Sequence, residues 1–223
     1  YADELADMNP RKNPAFSYAE ARYFLAFMGK RIVGRIGAIY STRANERWGT
    51  HRMRFTQVDF VDDARVPEAL FEAVEAFARE KGCLEVHGPL GFTDLDREGM
   101  LIEGFEEKSL FFTYYNAPYY KEHLERLGYG KDVDWIELNV SRTEENTKTA
   151  ELLAKLSARA LKRHALRIVK VRHNREFAPY IERAFALVNR AYAPLYGVVP
   201  LDEVQIRHYA KKFVPMIDPD LAC

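Results

Sequence analysis

Residues 66–82, VPEALFEAVEAFAREKG, constrain the fold more than any other stretch. Leu70, Phe71, Val74, Phe77 and Ala78 recur at helical spacing on one face, Pro67 stands in the first turn, where its missing N–H costs nothing, and Gly82 supplies the stop. Such a face needs an apolar layer to cover it, and the preceding residues provide one. ARYFLAFM (21–28) and RIVGRIGAIYS (31–41), parted by Gly29-Lys30, predict an antiparallel hairpin. MRFTQVDFV (53–61), in which Phe55, Gln57, Asp59 and Val61 alternate only imperfectly with their neighbours, predicts a central strand covered on both sides. Between hairpin and strand, RANERWGTHR (43–52) reads as a charged connection.

After the long helix, CLEVHGPL (83–90) predicts a short strand that runs into a loop-rich segment. A helix is expected from about Pro118 to Leu127, then a strand DWIELNV (134–140). Ser141-Arg142-Thr143-Glu144 reads as a capping box opening a helix to about Arg163, with Leu152, Leu153, Leu156 and Leu161 as its apolar stripe. LRIVKVR (166–172) predicts another strand, followed by an amphipathic helix with Phe177, Ile181, Phe185 and Val188 inward and a last helix over 201–213.

Composition narrows the class. With 223 residues, 48% of them hydrophobic, the chain can bury a core, and 33 basic against 33 acidic residues give no global field favouring nucleic acid. No apolar run approaches the roughly 18–20 residues of a membrane span and no signal-peptide pattern opens the chain, so the expected compartment is the cytoplasm, with no membrane partner. Cys83 and Cys223 lack any metal-ligand or disulfide spacing and read as free thiols; no metal is expected. The opening at Tyr1 and the close on DPDLAC predict a piece of a longer protein.

The order hairpin, central strand, long helix, strand, short helix, strand resembles the acyl-CoA N-acyltransferase (GNAT) superfamily, and in particular a bacterial group of uncharacterised tandem GNAT-like proteins. Asn116 before a short helix ending in Leu127-Gly128-Tyr129 carries the resemblance, with the stretch GPLGFTDLDREGMLIEGF ahead of it. The implied fold class is mixed α/β (α+β), a GNAT-like central sheet with flanking helices. Residues 1–141 would form that domain without its first strand and helix, 142–164 a connecting helix, and 165–223 the β-α-α opening of a second, incomplete domain. The implied activity is transfer of an acyl group from acetyl-CoA or another acyl-CoA to the amine of a small molecule or peptide.

The resemblance places cofactor contacts at Phe60 and Val61, whose backbone would pair with the pantetheine arm, and at Arg65, Asn116 and Tyr120. The chain departs from the family at the pyrophosphate loop: DFVDDARVPEAL has no glycine and sets Asp62 and Asp63 where the anion would lie, with Arg65 partly offsetting them. The family's tyrosine acid falls on Leu124, so Tyr119 or Tyr120 would have to substitute; Tyr120 also suits a core aromatic with its hydroxyl at the rim.

TDLDREGMLIEGFEE (93–107) places Asp94, Asp96 and Glu98 at alternating positions, but a calcium loop would need Glu where Phe105 stands. As a catalytic loop, Asp96 or Glu98 would take the proton of an attacking amine, with Tyr119 as the acid; as a plain loop, Arg97 would pair with the carboxylates. His87 faces the acyl group in the family and otherwise reads as structural, and the aromatics Phe111, Phe112, Tyr114, Tyr115, Tyr119 and Tyr120 wall a pocket or pack a core. Three functions stay open: an acyl-CoA transferase, a catalytically inactive binding module, and a transferase drawing on a carrier protein or aminoacyl-tRNA. A homodimer is compatible with each.

Overall fold

The computed structural model describes residues 2–222 apart from Phe111, Phe112, Val140 and Arg142. Expectations for Phe111, Phe112, Arg142 and Cys223 therefore lie outside the described residues. The chain divides into two compact units, Tyr1–Val133 with Ala184–His208, and Asp134–Arg183 with Tyr209–Cys223.

The first unit opens with a short helix α1 (Ala2–Asp7) and is built on a four-stranded mixed sheet flanked by helices, an α+β arrangement. β1 (Ala19–Met28) and β2 (Arg31–Ser41) form the hairpin, turning at Gly29, whose φ of 60° suits glycine. β3 (Arg52–Phe60) runs antiparallel to β2, and β4 (Glu85–His87) runs parallel to β3 across Arg52–Arg54 only. The helix α3 (Arg65–Glu80) buries Val66, Pro67, Leu70, Phe71, Val74, Phe77 and Ala78 against Ile36, Met53, Phe55 and Phe60. Each large side chain buried there contributes about 1.5–3 kcal/mol. The helix comes close because Gly34 has no side chain: a Cβ there would lie 2.8 Å from Val66 and 2.9 Å from Leu70.

The imperfect alternation in β3 has a concrete cause. Arg35 pairs with Asp59 and Gly37 with Thr56, so Ile36 of β2 faces both Gln57 and Val58 of β3, and Gln57 takes a φ of 47°. This is a β-bulge, and it switches the parity of the strand. Met53 and Phe55 meet the core before it, Val58 and Phe60 after it. On the other face Arg54 and Thr56 are also buried, which makes β3 a strand covered on both sides.

Residues 42–48 correct the expected connection: they form the helix α2 (Thr42–Trp48). The Ser41 side chain accepts from Ala44 N at 3.1 Å and Gly49 ends it at a φ of 61°, so caps compensate for a weak apolar face. The short helix α4 (Tyr119–Arg126) forms as predicted and stops before Gly128, burying Tyr120, His123 and Leu124.

In the second unit, neither DWIELNV nor LRIVKVR pairs as a strand among the described residues. Ile136, Leu138, Leu166 and Ile168 are exposed instead; alternation sets up a strand, but a partner edge has to complete it. The helix α5 (Glu144–Arg163) is capped by Thr143, which accepts from Asn146 N at 3.1 Å, rather than by a box starting at Ser141. Its leucines 152, 153 and 156 are exposed. A 3-10 turn over Asn174–Tyr180 replaces the expected strand-to-helix step and leads into α6 (Ile181–Tyr192), where Ile181 and Phe185 are less exposed than the residues beside them; most of α6 and the first half of the following α7 (Glu203–Phe213) belong to the first unit.

Candidate functional site

Beyond His87 the chain leaves the sheet, and Leu90 N donates to Phe55 O at 2.9 Å. From there on β3 has an open edge on that side. α4 fills it with two hydroxyls. Tyr119 donates to the carbonyl of Phe60 at 2.7 Å, and Phe60 N–H donates to the Tyr120 oxygen at 3.0 Å while Tyr120 donates in turn to Asp59. The Tyr120 ring stacks on Phe60 with centroids 4.1 Å apart, and His123 meets Phe60 edge-on at 5.6 Å. Burial raises the pKa of both tyrosines, so both remain protonated donors at neutral pH.

Val61 N–H donates to Val33 O at 3.0 Å and its carbonyl accepts from Asp63 N at 2.7 Å. The backbone groups of Phe60 and Val61 that were expected to hold a pantetheine arm are thus already bonded within the protein. Asp62 accepts from His123 Nε2 at 2.8 Å, and Arg126 donates to His123 Nδ1 at 3.0 Å, which makes Nε2 the protonated nitrogen of a neutral ring. Asp63 is gripped by Arg65 through 3.0 and 2.7 Å bonds, and this pairing holds its carboxyl down at about 2. Arg65 is committed to Asp63. Asn116 lies apart from these residues: its side-chain oxygen accepts from Leu101 N at 2.7 Å and its nitrogen donates to Leu101 O and Ala117 O, fastening the loop to the start of α4.

Asp94, Asp96 and Glu98 lie elsewhere, within electrostatic reach of Arg54 or of one another, toward the start of β3. Asp96 accepts from Thr93 N at 3.0 Å and packs over Gly91, where a Cβ would meet the Asp96 Cβ at 2.2 Å. Glu98 has the chemically active environment: burial pushes its carboxyl up to about 8, the charges of Asp94 and Asp96 add to the rise and Arg54 opposes it. It is an acid that changes state close to neutrality. Arg54 and Phe60 are six residues apart on β3, roughly 20 Å for an extended strand. The structure therefore groups Phe60, Val61, Tyr119 and Tyr120 at one end of the strand and Asp96 and Glu98 at the other.

Arg54 and Tyr196 carry no sequence signal, whereas His87 does. Arg54, 2% exposed, donates to Gly91 O at 2.9 Å and Gly197 O at 2.6 Å, binding two distant loops to β3. His87 and the Tyr196 hydroxyl are 3.1 Å apart. Tyr196 gives its only proton to the Asp132 carboxylate, so His87 Nδ1–H is the donor and Nε2 holds a lone pair. Burial first, then Arg54 and Arg52, lower the His87 pKa to about 4, and the ring is neutral at pH 7. His87, Tyr196, Arg52, Arg54, Thr50 and Trp48 line a small pocket of about 80 Å³. Alternation along β3 puts Arg52 and Arg54 on one face, but only the fold shows that this face is also roofed.

Among the described residues no group of His, Cys, Asp and Glu side chains is arranged to hold a metal ion, and no helix is long and apolar enough to cross a membrane. No protein-family model matches the chain, and no solved structure matches it. Among curated proteins it is similar to protein YghO of Escherichia coli, 28% identical over 210 residues that are 94% of this chain and 53% of that protein. It is also similar to a bacterial ceramide synthase of Caulobacter vibrioides, 26% identical over 217 residues, 96% of this chain and 55% of that protein. The chain spans about half the length of the curated relatives it matches.

Proposed function

We propose that this chain is part of an acyltransferase that joins an acyl group, delivered as a thioester such as acyl-CoA, to an amine. Glu98 carries the reading. A carboxyl held at about 8 can take the proton of an ammonium near neutral pH and return it to solvent after the reaction. The similarity to a ceramide synthase supports the same class, because a ceramide is an amide of a fatty acid and a long-chain amine.

In this reading Glu98 in its ionised form accepts one proton from the acceptor ammonium. The neutral amine attacks the thioester carbonyl, the C–N bond forms, the C–S bond breaks, and the second amine proton leaves with the thiolate. Tyr119, bonded to Phe60 O toward the other end of β3, is placed to hold that strand end rather than to share a step with Glu98. A pantetheine arm paired with Phe60 would displace the Tyr119 and Tyr120 hydroxyls, which stand in for such a partner.

The test is amide formation followed by mass spectrometry, with acyl-CoA donors of graded chain length and a panel of amines that includes long-chain amino alcohols. Product formation that falls about a hundredfold or more in Glu98→Gln supports the proposal. No product with any pair, or full activity in Glu98→Gln, overturns it. The second reading, a binding module without catalysis, is favoured by the internal bonding of Phe60, Val61 and Arg65 and is what the first negative outcome would select.

A further inference from the structure

Arg54 is a buried cation whose hydrogen bonding is incomplete. Its two terminal nitrogens donate to the Gly91 and Gly197 carbonyls, but Nε is buried without a partner among the described residues. No carboxylate forms a salt bridge with it among the described residues, although ten or more other charged groups of the chain do pair. The nearest acids act on it only at a distance. Glu98 and Asp96 favour its charge through space, but neither forms a salt bridge with it. A guanidinium out of water whose hydrogen bonds go only to neutral carbonyls is costly, and an anion in direct contact is the partner that would reduce the cost.

Arg54 also lines the pocket already described. The remaining wall suits a small anion with an apolar stem. Ser41, whose oxygen accepts from Ala44 N, keeps a hydroxyl proton to donate, while Thr50 gives its own to Asn45; Ala44 and Trp48 bring apolar surface, and His87 is neutral. Arg52, the other cation of the wall, is already bonded to Glu85 at 2.5 Å, which leaves Arg54 as the cation of the wall without a salt bridge among the described residues. The cavity itself, about 80 Å³, is smaller than a typical small-molecule site and has room for a ligand of only a few heavy atoms.

We infer that this pocket binds a small carboxylate, with the Arg54 guanidinium as its counter-ion and the Trp48–Ala44 wall against its stem. A carboxylate is favoured over a phosphate because one cation and one unused N–H match a single negative charge. The site does not depend on the acyl-transfer proposal, and its ligand can be a substrate or an effector.

The experiment is NMR of the whole chain with arginine Nε–H groups observed directly, titrated with sodium acetate and separately with inorganic phosphate, each against sodium chloride at matched ionic strength. Acetate is expected to move the Arg54 Nε–H resonance along a saturable curve, with phosphate about tenfold weaker and chloride without saturation. No saturable movement up to about 100 mM acetate overturns the proposal, as does equal or tighter binding of phosphate. Ala44→Leu fills the pocket without touching Arg54 and is expected to abolish the acetate response. A folded Ala44→Leu protein that responds like the unmodified one places the ion elsewhere and also overturns it. Because the titration of the unmodified chain decides first, failure of an Arg54→Lys variant to fold would not rescue the idea.

Discussion

Phe60 and Tyr120 are joined twice: their rings stack with centroids 4.1 Å apart, and the Phe60 backbone N–H donates to the Tyr120 hydroxyl at 3.0 Å. One side chain thus closes both the apolar and the polar valences of the strand end. Tyr120→Phe keeps the stack and strands the N–H, so it is expected to lower stability by about 1–2 kcal/mol. Urea denaturation measures it, and an unchanged midpoint would mean that water replaces the hydroxyl at no cost.

Glu98 gives stability a pH dependence of definite sign. Its folded-state pKa lies above the unfolded one, so its contribution is complete below about pH 4.5 and is lost as pH rises through about 8. Glu98→Gln should match the unmodified protein at pH 5 and exceed it at pH 9 by on the order of a few kcal/mol. Thermal melts across that range read the crossover, and parallel curves would show that the carboxyl is solvated.

His87 runs the opposite way. Its folded-state pKa of about 4 lies below the unfolded value, so its contribution is present above about pH 6.5 and disappears as pH falls through 4. Nitrogen NMR is expected to show a neutral ring at pH 5.5 with the proton on Nδ1. Tyr196→Phe removes the oxygen that Nδ1–H meets and should shift the ring toward the Nε2–H tautomer; a tautomer that does not respond would break the proposed order of donors.

Gly34 and Gly29 separate crowding from backbone freedom. Alanine at Gly34 puts a methyl 2.8 Å from Val66 and 3.1 Å from Asp59 O, and should cost about 1–3 kcal/mol by pushing α3 off the sheet. Alanine at Gly29 meets nothing within 4 Å and pays only for its positive φ, about 1 kcal/mol. Denaturant midpoints of the two variants give the comparison, and equal losses would refute the packing account.

The parts legible in the sequence are those whose signals are local. The hairpin turn at Gly29, the apolar face of α3 with Pro67 and Gly82 at its ends, and the Gly128 stop of α4 each declare themselves within a few residues. α2 hid because Ser41 and Gly49 cap a segment with little apolar periodicity. The segments 134–140 and 166–172 misled because alternation marks a strand's faces but says nothing about whether a partner edge exists. At the site, the sequence singled out Glu98 as a carboxylate in an acidic loop; its perturbed pKa comes from burial, which is a property of the tertiary fold. Arg54 has no local signal because the carbonyls that bind it come from residues 91 and 197, far along the chain.

The extra residue at Gln57 is what lets core residues at 53, 55, 58 and 60 share one face of the sheet. Drawn into a regular pleat with the same residues, the second half of the strand would turn over, sending Asp59 into the apolar interior and Phe60 outward. Deleting Gln57 instead leaves an unbroken alternation with the same inside and outside, Thr56 still against Gly37 and Asp59 still against Arg35. A related chain one residue shorter at that point keeps this face without the bulge, and a gap placed there when two such chains are aligned preserves inside and outside.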